Sequence, residues 1–151
     1  MKQNTHTSQT GMTLLEVMIV VAIIAIVAAV AYPSYTRYVQ DARRADCAGA
    51  MVGLANAMER HFSITGSYLG AAAGGGDTGA PAVFGATCPV DGGEATYTLT
   101  IAAATATTYS LSAAPTGVQG TDRCGTLTLT NTGVKGVQGA TAGNGWAACW
   151  R

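Results

Sequence analysis

The chain changes pattern several times along its length. From Val17 to Tyr32 it reads VMIVVAIIAIVAAVAY, sixteen apolar residues in succession, and between Met12 and Tyr32 the only charge is Glu16. At about 1.5 Å per residue a helix over this stretch is roughly 31 Å long, matching the ~30 Å hydrocarbon layer of a bilayer, so a single span fits. Beyond Pro33, whose missing donor predicts a kink or bend, the pattern turns amphipathic. Cys47, Met51, Leu54, Met58 and Phe62 recur at three- and four-residue steps, a stripe suited to covering a sheet, with Arg37, Asp41, Arg44, Glu59 and Arg60 on the opposite face. The periodicity predicts one helix from about Met12 to Phe62. Glycines then crowd residues 66–93, which are expected to form a loop with little regular structure. Alternation returns in Tyr97, Leu99 and Ile101, in Tyr109, Leu111 and Ala113, and in Leu127 and Leu129, with threonine or serine between. Each run predicts a half-buried strand, and Asn131-Thr132-Gly133 predicts a turn into a short fourth strand near Lys135 to Gln138. The expected fold class is α+β, a long helix on a three- or four-stranded antiparallel sheet.

Composition sharpens the picture of the apolar run. Hydrophobic residues make up 48% of the 151 positions and charged residues only 11%, against a norm of about 25% charged. Eight basic residues balance eight acidic ones, which argues against a dedicated nucleic-acid binder. Ala29-Val30-Ala31 offers an A-x-A site for an ordinary secretory signal. The run is long for such a signal, only Lys2 precedes it among basic residues, and a carboxylate sits near its start. That carboxylate needs a purpose, since an ionised side chain costs about 2.5–3.5 kcal/mol at the centre of a membrane helix and less near its ends. No Lys or Arg lies between Met12 and Val30. The counter-charge of Glu16 must therefore come from another subunit or from a chain terminus.

Thr10-Gly11-Met12-Thr13-Leu14-Leu15-Glu16, followed by the apolar run and Tyr32-Pro33-Ser34-Tyr35, resembles the class III signal of type IV prepilins. The resemblance implies a leader at 1–11, cleavage after Gly11 by a prepilin peptidase on the cytoplasmic side, and N-methylation of the new terminus at Met12. It also implies a partner for Glu16, the Met12 amine of a neighbouring subunit, in keeping with the rule that charges in a low-dielectric bundle must be paired. The implied organisation is a membrane and filament-core half of the helix at 12–33, an amphipathic half at 34–62, a glycine-rich loop at 63–96, and a sheet with a C-terminal disulfide loop at 97–151. The implied partners are other pilins in a helical filament, the peptidase, an inner-membrane assembly platform, and lipid before assembly. The head would then lie in the periplasm first and in an extracellular pilus afterwards. Adhesion, twitching motility or DNA uptake are the activities such pili serve.

Four cysteines, Cys47, Cys88, Cys124 and Cys149, allow three pairings and show no zinc spacing. Disulfides in an oxidising compartment are favoured, and chain order favours Cys47 with Cys88 and Cys124 with Cys149. The segment from Cys124 to Leu129 with Cys149-Trp150 resembles minor pilins of the PilE kind, in which a C-terminal disulfide loop is usual. Arg37, Arg43 and Arg44 following the span count against a periplasmic head by the positive-inside rule. The cysteines and the leader outweigh that count.

No enzyme is expected, because His6 and His61 stand apart and no Ser-His-Asp set is visible. No cofactor or metal is expected either: Asp77, Asp91, Glu94 and Asp122 lack calcium-loop spacing, and no phosphate-loop lysine follows the glycines. Trp146 and Trp150 beside Lys135 and Arg151 have the chemistry to stack on glycan or single-stranded DNA, although packing on the disulfide loop explains them as well. Nucleic acid is a possible partner that the sequence does not indicate, since Arg123, Lys135 and Arg151 are few for a basic face. The alternatives are a type II secretion pseudopilin, which shares Gly11, Met12 and Glu16, and a membrane-anchored or secreted binding protein.

Overall fold

The computed structural model describes residues 11–141 and 145–150. Most of the expected leader at 1–11, with Lys2 and His6, and also Arg151, lie outside the described residues. The chain forms two compact units divided between Tyr38 and Val39. Helix α1, Leu14–Thr65, spans 52 residues. Thr13 starts it as an N-cap: its hydroxyl accepts the Glu16 N–H at 3.3 Å and its carbonyl accepts the Val17 N–H at 3.2 Å. Gly66, at φ +75°, ends it by donating its N–H to the Phe62 carbonyl at 2.7 Å. The helix continues through Pro33. In the first unit the large apolar side chains from Leu14 to Val30 are exposed in the isolated chain, and this helix is long and apolar enough to cross a membrane.

The second unit holds the sheet, with strands β1 Thr87–Cys88, β2 Tyr97–Ala104, β3 Tyr109–Pro115, β4 Thr126–Thr130 and β5 Lys135–Gln138, followed by a short helix α2, Gly145–Cys149. All neighbours pair antiparallel in sequence order. Tyr97, Leu99, Ile101, Leu111 and Leu127 point into the core, where they meet the Met51, Leu54 and Met58 stripe of α1 in one buried cluster. Each fully buried Leu, Ile or Met contributes about 1.5–3 kcal/mol. The fold is thus the expected α+β arrangement, with five strands instead of three or four.

The extra strand comes from the glycine-rich segment, which is far more regular than its composition suggests. Gly79 exchanges both backbone hydrogen bonds with Ile101 of β2, at 2.9 and 2.8 Å, Ala72 bridges to Pro81, and the Asp77 carboxylate accepts the Gly70 N–H at 2.9 Å. Phe84 lies over Gly53 of α1, where a Cβ would stand 2.8 Å from the ring. The segment is ordered by partners distant in sequence, which local composition does not reveal. A disulfide joins Cys47 of α1 to Cys88 of β1, and another joins Cys124 to Cys149. With sequence separations of 41 and 25 residues, the loop-entropy account gives each roughly 3–4 kcal/mol.

Two tyrosine clusters tie the sheet to α1. Glu59 accepts the hydroxyls of Tyr68 and Tyr109, each at 3.1 Å to Oε1, and Tyr97 donates to Asp122. Burial first, and then these carboxylate acceptors, push the phenol pKa of all three upward from 10.0. A raised folded pKa means that the folded state keeps a proton the unfolded chain has lost. The stability this contributes is complete below pH ~10 and is lost as pH rises from there through the folded values. Thermal melts should therefore show Tm falling above pH ~10, with a shallower fall in Tyr97→Phe and Tyr109→Phe. An equally steep alkaline fall in both variants would refute the assignment.

Candidate assembly and interaction sites

At the start of α1 the three residues singled out by sequence fall into a small space. Gly11 and Met12 precede the helix in non-helical backbone, and Glu16 lies in its first turn. A carboxylate there is favoured by the helix dipole, so part of the reason for Glu16 is local. Its side chain is nevertheless exposed, and among the described residues it forms no ion pair. Within the uncut chain the Met12 nitrogen is a peptide nitrogen without charge. Cleavage after Gly11 would turn it into an ammonium, a cation that no side chain between Met12 and Val30 provides.

The second arrangement is a polar hub within the head. Arg44, expected on the exposed face of α1, is buried. The stripe periodicity placed it outward, but the turn before β4 brings Asp122 against it. The Asp122 carboxylate accepts Arg44 Nε at 3.0 Å and the Arg44 guanidinium again at 3.1 Å, together with the Tyr97 hydroxyl and the Cys124 N–H. The Arg44 and Asp122 side chains are 4% and 0% exposed. Gln119 adds a bond from its side-chain amide to the Gln40 carbonyl at 3.0 Å. Residues 119–123 are thereby clamped to residues 40–44 of α1.

From this clamp emerges the C-terminal segment. Arg123 follows Asp122 and reaches Asp41, with 3.3 Å to each carboxylate oxygen; the two side chains are 51% and 46% exposed. The Arg123 carbonyl accepts the Thr141 N–H at 2.8 Å, so the chain beyond β5 returns to the start of the segment. Gly125 makes this closure possible: its φ is +59°, and a Cβ there would collide with the Gln138 carbonyl oxygen. Lys135 opens β5, its ammonium 5.3 Å from the centroid of the Trp150 ring. The Trp150 indole N–H donates to the Gly136 carbonyl at 2.9 Å, while Trp146 is exposed. Lys135 and Trp150 line a shallow groove along Ala45, Ala48, Gly49 and Val52 of α1.

The charge distribution gives this region its character. All eight acidic residues of the chain lie between Glu16 and Asp122, whereas residues 123–151 contain Arg123, Lys135 and Arg151 and no acid. Counting cations alone hides this segregation. The absence of acids over the last 29 residues is the signal that reveals it. His61 is engaged at the end of α1, Nε2 lying 2.9 Å from the Leu69 carbonyl oxygen.

Comparison with known proteins identifies the family. The family described as type IV minor pilin ComP, DNA uptake sequence receptor, matches residues 33–128. The prokaryotic N-terminal methylation motif matches residues 6–32. A type IV pilin from Shewanella oneidensis is similar in structure at 29% identity and a TM-score of 0.45, the match covering 71% of this chain and 97% of that one. A search of curated proteins gave no match. Since the family model spans well over half of the chain, the protein belongs to the ComP family of type IV minor pilins and is a minor subunit of the type IV pilus.

Proposed function

We propose that this minor pilin is cut after Gly11, methylated at Met12 by a prepilin peptidase, held in the inner membrane with its head in the periplasm, and then assembled into a pilus that takes up DNA. Assembly, not catalysis, is its working step. The apolar half of α1 moves from lipid into the filament core with the help of the inner-membrane platform, and Glu16 sets the stagger by pairing with the Met12 ammonium of a neighbour. The head carries the DNA contact on its C-terminal segment. One observation carries this last reading: residues 123–151 combine three basic residues with no acid and present Arg123 and Lys135 on a segment closed by a disulfide. The DNA-receptor description of the matching family agrees with it.

Two cations suffice for weak, salt-sensitive attraction to phosphates. The test is duplex binding by the full-length chain in detergent, measured by fluorescence anisotropy. Arg123→Ala and Lys135→Ala are each expected to weaken binding uniformly across sequences and to lower the slope of log affinity against log salt by about one. If neither substitution changes affinity or slope, the C-terminal segment is not the DNA contact.

A further inference from the structure

The ion pair that holds Arg123 bears on how DNA gains access to it. Asp41 has two cationic neighbours. It lies 2.6 Å from the Arg44 guanidinium, one turn along α1, but 3.3 Å from that of Arg123. Arg44 stays buried and fully engaged with Asp122. Arg123 is half exposed and follows the rigid hub by a single residue, so its side chain can turn away without disturbing the backbone. A long, half-exposed pair of this kind contributes little to stability. A phosphate oxygen is a competing acceptor for the same guanidinium fork.

We propose that Asp41 is an electrostatic guard on Arg123, a specificity-determining residue that a nucleic-acid phosphate must displace before the guanidinium is available. The idea rests on the C-terminal segment being the DNA contact. In the free subunit, Asp41 neutralises Arg123 and adds a negative charge beside the approach path, which disfavours weakly bound polyanions and single phosphates. When duplex arrives, several phosphates act together, Arg123 exchanges partners, and Asp41 keeps Arg44. The exchange leaves no carboxylate unpaired, so it is inexpensive.

The experiment is a double-mutant cycle on the full-length chain in detergent, with a fluorescein-labelled duplex of random sequence as probe. Asp41→Asn keeps the shape of the side chain and removes its charge, and Arg44 remains paired with Asp122, so the fold is retained; the thermal melt checks this. Duplex affinity is expected to rise about three- to tenfold in Asp41→Asn. That gain should largely disappear in the Arg123→Ala background, because the guarded group is gone. Unchanged affinity in Asp41→Asn, or the same gain with and without Arg123, overturns the guard while Arg123→Ala still weakens binding. If the wild-type chain binds no duplex, the guard and the DNA reading fall together.

Discussion

Glu16→Ala is expected to leave the subunit in the membrane fraction and to keep it out of sheared pili. The substitution removes a costly group from the apolar helix, so insertion is retained or slightly favoured. The N-cap survives, because Thr13 accepts the backbone N–H of residue 16 and not its side chain. What is lost, on the proposed scheme, is the carboxylate that would pair with the Met12 ammonium of the next subunit once the filament core excludes water. An uncompensated buried charge costs on the order of 3–5 kcal/mol, enough to exclude a subunit competing with intact neighbours. Immunoblotting of sheared and membrane fractions measures the partition. The intact mass of the membrane form should still correspond to a methylated chain beginning at Met12. Glu16→Asp, which keeps the charge on a shorter arm, should restore part of the incorporation. Wild-type amounts of Glu16→Ala subunit in pili would remove Glu16 from the assembly step.

The second large effect concerns the hub. Asp122→Ala is expected to destabilise the head by about 3–5 kcal/mol, because it removes the two-oxygen partner of a buried guanidinium and leaves it only the half-exposed Asp41. It also removes the acceptors of the Tyr97 hydroxyl and the Cys124 N–H. For a unit of this size the loss lowers Tm by on the order of 10–20 °C. Asp122→Asn, which keeps one acceptor oxygen in the same place, should fall between wild type and alanine. A loss below about 1 kcal/mol for Asp122→Ala would show that Asp41 or water suffices for Arg44. On the proposed reading the hub would also act at a distance, since it fixes residue 122, and hence the stem of Arg123 and the first sulfur of the C-terminal disulfide. Reduced duplex binding should accompany the stability loss.

Periodicity made much of this fold legible. The apolar run, the Met51, Leu54 and Met58 stripe, and the alternation through Tyr97, Tyr109 and Leu127 each have a repeat set by backbone geometry, and each forms the helix or strand it predicts. Gly11, Met12 and Glu16 stand out for a different reason: the proposed processing and charge pairing at a chain terminus would depend on a few adjacent residues. Three features were hidden. Arg44 reads as a surface cation because nothing near it in sequence announces Asp122, 78 residues away. The glycine-rich segment reads as loop, although Ile101 and Gly53 supply the backbone and the space that order it. The C-terminal cations are few, and only the missing acids around them set their segment apart.

The sequence by itself determined most of the elements, the membrane-length helix and the chemistry available at its start, since these follow from local repeat, hydropathy and charge. Only the tertiary structure decided which charges are buried, which are masked and which remain open to a partner. Arg44, Arg123 and Lys135 are chemically similar cations, yet one is sealed against Asp122, one is held loosely by Asp41 and one rests over Trp150. The difference lies in solvation and in partners brought together by the sheet and its disulfides, and a linear sequence records neither.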